Sequence, residues 1–190
     1  PMVGLCHRLL PKNPCFKRMR LRMKEALMET VSAKKLFKYF QENMICESLT
    51  TEDVLKLTVY LQEKDYLDGE IISDAGEVGE FLGFVMEGKV QFTSGIGADE
   101  GPVGKQKEGT LIGEMSFFDR KPRNLRMAAC KKGVKLLVLT RAMYDRIKVE
   151  EPYIAVNILE NAIVSLDNLI RHMGDDINAL EHYVHGYGKR

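Results

Sequence analysis

The chain has 190 residues, 45% of them hydrophobic, and its 28 Lys and Arg nearly balance its 27 Asp and Glu, leaving a formal net charge of +1. That is material for one well-packed core. It is too little for two full domains, and too apolar for disorder over most of its length. The charge balance excludes a nucleic-acid binder driven by overall charge, and the scattered Cys6, Cys15, Cys46 and Cys130, with no C-x-x-C pair, argue against a thiolate zinc site and for free thiols in a reducing compartment.

Residues 1–5 lack the apolar run of a signal peptide, and no stretch approaches the roughly 20 apolar residues of a spanning helix. A soluble, cytoplasmic chain is expected, alone or as part of a larger or membrane-associated protein. No acid precedes Glu25, whereas Arg8, Lys12, Lys17, Arg18, Arg20, Arg22 and Lys24 do. This basic arm over 8–24 reads as a solvated helix face, with an acidic partner or a membrane surface as the functional alternative. From Phe16 to about Met44, apolar residues at three- and four-residue steps predict helix. Thr51-Glu52-Asp53 opens a second, short helix capped by Thr50 or Thr51.

The pattern then changes. Asp68-Gly69 signals a turn before Ile71-Ile72. Phe81 to Val85 and Lys89 to Thr93 read as strands joined by a hairpin at Glu87-Gly88, residues 94–109 as a long glycine-rich loop, and Lys135 to Leu139 as a further strand. Helix returns after a cap at Thr140, and Pro152 suits the first turn of a longer helix. There Ala155, Leu159, Ala162, Leu166, Leu169 and Met173 keep the spacing of a coiled-coil seam, which makes helix 152–173 either a packing face or a homodimer contact. Gly174 reads as its terminator. The organisation expected is a basic arm and helical segment over 1–46, a strand-rich body with its helices over 47–174, and a polar tail over 175–190. His172, His182 and His185 near that tail are expected to be exposed, and no metal site is expected.

One segment carries chemistry: Ile112-Gly113-Glu114-Met115-Ser116-Phe117-Phe118-Asp119-Arg120-Lys121-Pro122-Arg123. A glycine at a strand end lets a ligand approach the backbone. Glu114 can accept from a hydroxyl, residues 115 and 116 can open a helical turn whose N–H groups face an anion, and Arg123 behind Pro122 offers a guanidinium fork for phosphate. Together they describe a pocket for a phosphorylated sugar.

This run resembles the phosphate-binding cassette of the cyclic-nucleotide-binding domain family, F-G-E-L-A-L-x-x-x-x-P-R-x-A, with Gly113, Glu114, Pro122 and Arg123 in matching positions. Residues 76–90, GEVGEFLGFVMEGKV, are similar to the hairpin motif of that family. The resemblance spans about 47–173. It implies an α+β fold, an antiparallel β-roll or jelly-roll-like barrel flanked by N-terminal helices and a long C-terminal helix. It further implies a non-enzymatic regulatory domain whose ligand is cAMP or cGMP, with no other cofactor. On this pattern Glu114 holds the ribose hydroxyl, Arg123 the cyclic phosphate, and the backbone near Gly113, Met115, Ser116 and Asn124 completes the cradle. Asn124, Leu125 and Arg126 depart from the small residues of the family and bring Leu125 and Arg126 to the pocket's rim. Asp167 or Asn168 on the long helix is placed to reach the base. The alternatives are a degenerate domain serving as an interaction or oligomerisation module, and the regulatory end of a transporter or channel, since the long helix is similar to sulfate-permease-type tails. DNA binding is not expected, because the residues after the long helix are too few for a helix-turn-helix.

Overall fold

The computed structural model describes residues 34–94 and 101–186, so the basic arm at 8–24 and the predicted helix before residue 34 lie outside the described residues. A helix over 34–42 (α1) leads to α2, Thr51–Thr58. Thr50 starts α2 with a reciprocal cap: its hydroxyl accepts from the Asp53 N–H, and the Asp53 carboxylate accepts from the Thr50 N–H at 2.9 Å. The strands follow as β1 (Gln62–Tyr66), β2 (Ile71–Ser73), β3 (Phe81–Ser94), β4 (Gly101–Lys107) and β5 (Leu111–Ile112). Then come the short helix α3 (Glu114–Asp119), β6 (Arg126–Thr140), α4 (Arg141–Glu150) and α5 (Pro152–Gly186).

The sheet order is β1-β6-β3-β4, every pair antiparallel, with β2 also on β6 and β5 on β3. Long β3 and β6 form its spine, and their alternation divides the interior in two. On one face Leu82, Phe84, Leu137 and Leu139 pack with Phe40, Leu57, Ile147 and Ile158 of the helices. On the other Val85, Val90, Leu136 and Val138 close the roll with Ile72 and Met127. Each fully buried side chain of this size contributes roughly 1.5–3 kcal/mol. The antiparallel β-roll with flanking helices and a long C-terminal helix is thus observed.

Five local expectations are corrected. Glu87-Gly88 is not a hairpin: β3 runs straight through it. Gly88 has φ +88°, and a Cβ there would lie 2.3 Å from the Gly133 carbonyl oxygen, so the glycine serves a bulge at a close crossing of two backbones. Residues 101–107, expected in the long loop, form β4 because their backbone pairs with Lys89 to Ser94. Gly174 does not end the last helix, which continues to Gly186, so the boundary drawn at 174/175 falls inside one element. The predicted seam is split: Ala155 and Ala162 are buried in the core, whereas Leu159 and Met173 stay exposed. Pro152–Gly174 is, by length and mean hydropathy, long and apolar enough to cross a membrane, although polar residues interrupt its apolar runs. Its Ile154, Ala155, Ile158 and Ala162 are nonetheless built into the core.

Candidate functional site

The segment 113–126 is placed by three elements. β5 ends at Ile112, and Gly113 turns the chain with φ +90°. A Cβ on Gly113 would sit 2.8 Å from the Phe81 carbonyl oxygen, so only glycine fits this conformation and this gap. Glu114 then begins α3. The far side of the segment is pinned to the turn at 74–79: Val78 bridges Pro122, the Arg123 N–H donates to the Glu77 carbonyl at 2.8 Å, and the Gly76 N–H donates to the Arg123 carbonyl at 2.8 Å.

Glu114 is 8% exposed. Burial raises its carboxyl above the ordinary range. The bonds from its own N–H and from Ser165, and the nearby Arg123 charge, pull the other way without prevailing. Ser165 of α5 donates to its Oε1 at 3.2 Å. Arg123 shows the complementary state. Its guanidinium has buried Nε and Nη2 atoms with no hydrogen-bond partner, a costly condition for a cation. Burial lowers its pKa, against the opposing charges of Glu114 and Glu77. Its guanidinium lies 5.8 Å from the Phe81 ring centre and is hemmed in by two glycines, since a Cβ at Gly79 would come within 2.8 Å of Nη2 and one at Gly113 within 3.2 Å.

The other expected residues fall into distinct settings. The Ser116 hydroxyl accepts from the Gly79 N–H at 2.6 Å and donates to the Lys121 carbonyl at 2.5 Å, fastening α3 to its surroundings. Met115 is exposed at the start of α3, Asn124 is exposed, and Leu125 is half-buried. Arg126 grips the Asp74 carboxylate through Nε at 2.8 Å and Nη2 at 3.3 Å, so part of its donor set is committed away from any ligand. On α5, Asp167 pairs with Arg171 at 2.7 Å, while Asn168 lines a cleft of about 970 Å³. That cleft lies between residues 43–48, β4 and α5. Glu114 and Ser165 line it, as do Lys105 and Lys107, and Arg123 does not.

Three contributors escaped the sequence reading. Ser165 is the only Ser or Thr of the long helix, a signal that was available. Gly79 lay inside the quoted motif without a role. Arg141 follows the Thr140 cap and ties the region together. Its guanidinium donates to the Phe117 carbonyl at 2.7 Å and to the Gly79 carbonyl, and it sits 4.6 Å from the Phe117 ring centre.

Comparison with known proteins agrees with this geometry. Residues 63–148 match the family described as cyclic nucleotide-binding domain. A cyclic AMP receptor protein of Thermus thermophilus is 32% identical over 111 residues, covering 58% of this chain and 51% of that one. A cAMP-dependent protein kinase regulatory subunit of Mycosarcoma maydis is 27% identical over 112 residues, 58% of this chain and 21% of its own. The matched part is therefore about half of the first relative and about a fifth of the second. A solved cyclic nucleotide-binding domain from Methylobacillus flagellatus superposes with a TM-score of 0.68 at 23% identity, over 77% of this chain and 85% of that one. The resemblance read from residues 76–90 and 113–123 is borne out.

Proposed function

We propose that the chain, whose residues 63–148 match the cyclic nucleotide-binding domain family, is a non-enzymatic sensor of cAMP or cGMP whose output is the position of α5. One observation carries the ligand reading: a guanidinium held by glycine-lined walls with two donors unanswered, nine residues after a buried carboxylate. An anion supplies the missing partner for Arg123, and a ribose hydroxyl replaces the Ser165 hydroxyl on Glu114. Gly113 gives the ligand access to the backbone, the N–H groups of Met115 and Ser116 at the free start of α3 face the phosphate, and Asn124 adds a polar group at the rim. Leu125 and Arg126 border this site, and Asn168, in the cleft, is better placed for the base than Asp167. Transmission rests on Ser165. A ligand that takes Glu114 from Ser165 removes a contact between α5 and the cassette, and so favours another helix position.

The test is calorimetric titration of cAMP and cGMP into the wild-type chain and into Arg123→Ala. Binding that is lost in the variant, with the melting transition retained, supports the sensor. A second reading, a degenerate domain acting as an interaction module, draws on the cleft: Glu114 opens onto it and Arg123 does not. Absence of binding by the wild-type chain overturns the sensor and favours that reading. We extend the proposal to a second copy along helix 152–173, to an acidic partner or membrane surface at 8–24, and to a cytoplasmic setting, attachment to a transporter or channel included.

A further inference from the structure

Two walls far apart in sequence change character at the same place. On the helix-facing side of the sheet, β3 is apolar at Leu82 and Phe84, which pack with the helices. Further along, that side turns basic. Lys89 pairs with Lys107 of β4 and Gln91 with Lys105, so Lys89, Lys105 and Lys107 share one face, while Val90 turns to the interior of the roll. The facing helix changes in step. α5 meets the core through Ile154, Ile158 and Ala162. Toward the cleft of about 970 Å³ it turns Asn157, Asn161, Ser165, Asn168 and His172, and all three lysines line the same cleft. An apolar stripe at these positions would draw the helix down onto the sheet. Amides, a hydroxyl and an imidazole above lysines keep the gap open to water.

The lysines hold these places at a cost. Like charges directly opposite one another on neighbouring strands are destabilising, and Lys89 and Lys107 are such a pair. None of the three has an ion-pair partner among the described residues. The acids of the cleft stand elsewhere: Glu47 and Glu160 lie around buried Cys46, and Glu114 is itself buried. We propose that this cleft is a second anion site, distinct from the Arg123 cradle, for a small ligand that carries two or more phosphates on a polar body. The three ammonium groups answer the phosphates as point charges. The amides of α5 offer donors and acceptors to a sugar or a heterocycle. The volume lies within the range of small-molecule sites. Arg123 does not line the cleft, so the site stands whether or not the cassette takes a cyclic nucleotide. An extended acidic peptide fits less well: on leaving the lysines it would pass Glu47 and Glu160, whereas a compact ligand keeps its charge on the lysines.

Calorimetric titration of ATP into the full 190-residue chain, at physiological salt and without divalent cations, tests the site. Binding is expected, weakening in the order ATP, ADP, AMP, with adenosine inert. Lys105→Gln with Lys107→Gln should weaken ATP binding about tenfold or more. The same variant should keep or raise the melting temperature, since Lys89 loses its like-charged neighbour. Lys64→Gln, on β1 at the other edge of the sheet, should bind ATP as the wild type does. Arg123→Ala separates the two sites, because it should remove cyclic-nucleotide binding and spare ATP. The proposal is overturned by a wild type that does not bind ATP, by adenosine binding as well as ATP, or by an equal loss in Lys64→Gln. Loss of ATP binding in Arg123→Ala overturns it too, as does a polyglutamate peptide that binds more tightly than ATP. Titration of cAMP and cGMP into the lysine variant reports on the sensor separately.

Discussion

The two charged residues of the cassette, close enough to feel one another's charge, are buried in different settings. Glu114 faces α5, has a hydroxyl on its carboxylate, and lies open to a wide cleft. Arg123 faces a narrow gap between glycine backbones and has two silent donors. The carboxylate end is satisfied by Ser165, and on the proposed reading it would exchange that partner for a ligand hydroxyl. The guanidinium end has an unmet need, held in place by backbone pairing at 76–79 rather than by its own bonds. On the proposed reading, a site built this way would divide its tasks: affinity at the end with nothing to lose, and signalling at the end where something is displaced.

If that division is right, the largest effect belongs to Arg123. Arg123→Ala should weaken cyclic-nucleotide binding about a hundredfold, since charge-assisted bonds are worth roughly 1.5–3 kcal/mol each. The melting temperature should hold or rise as an unpartnered buried cation is removed. A large loss of stability would place Arg123 in the scaffold and end the contrast. Gly79→Ala tests the gap itself. The new Cβ meets Arg123 Nη2 and the Phe117 nitrogen at under 3 Å, so denaturant unfolding should show a loss of about 1–3 kcal/mol, and binding should fall with it.

Glu114→Gln sharpens the other end. A carboxyl whose pKa is raised by burial stabilises the fold only while protonated. That contribution is fully present below the unfolded value, about 4.3, and is lost as pH rises through the folded one. Near neutral pH the substitution should therefore raise the melting temperature by about 2–4 °C, and well below the carboxyl range it should change little. Binding should weaken about tenfold, the worth of one charge-assisted bond. Ser165→Ala should have the smallest effect and the opposite sign: ligand no longer competes for Glu114, so affinity rises a fewfold, up to roughly tenfold. Unchanged affinity in that variant would detach α5 from the site.

Much of the fold was legible because its signals are local. Thr50 and Thr140 cap helices as their side chains predict, and Pro152 opens α5. The family pattern at 113–123 depends on spacing alone and needed no partner. What escaped depends on distant neighbours. β1 is QEKDY, four exposed residues and a half-buried tyrosine, and it is a strand because Val134 to Val138 of β6 pair with it. β4 has no apolar alternation and owes its existence to β3. Gly88 has the composition of a turn, yet its conformation answers Gly133, forty-five residues away in sequence. The seam was misread for a related reason: several three-four rhythms overlap on α5, and only burial shows that Ala155 and Ala162 belong to the core.

α5 runs 35 residues without a break, about 52 Å. On the proposed reading such an element would serve as a shaft: a small roll imposed beside Glu114 would be carried along its length. Its softest point is Gly174, nine residues past Ser165, where a missing side chain costs about 1 kcal/mol in helix stability and no neighbouring atom comes within 4 Å of the vacant Cβ position. Torque applied at the cassette would thus reach Met173 nearly undiminished and could be released as bending just beyond it, which makes the stretch after Gly174 the natural place for the movement to be read.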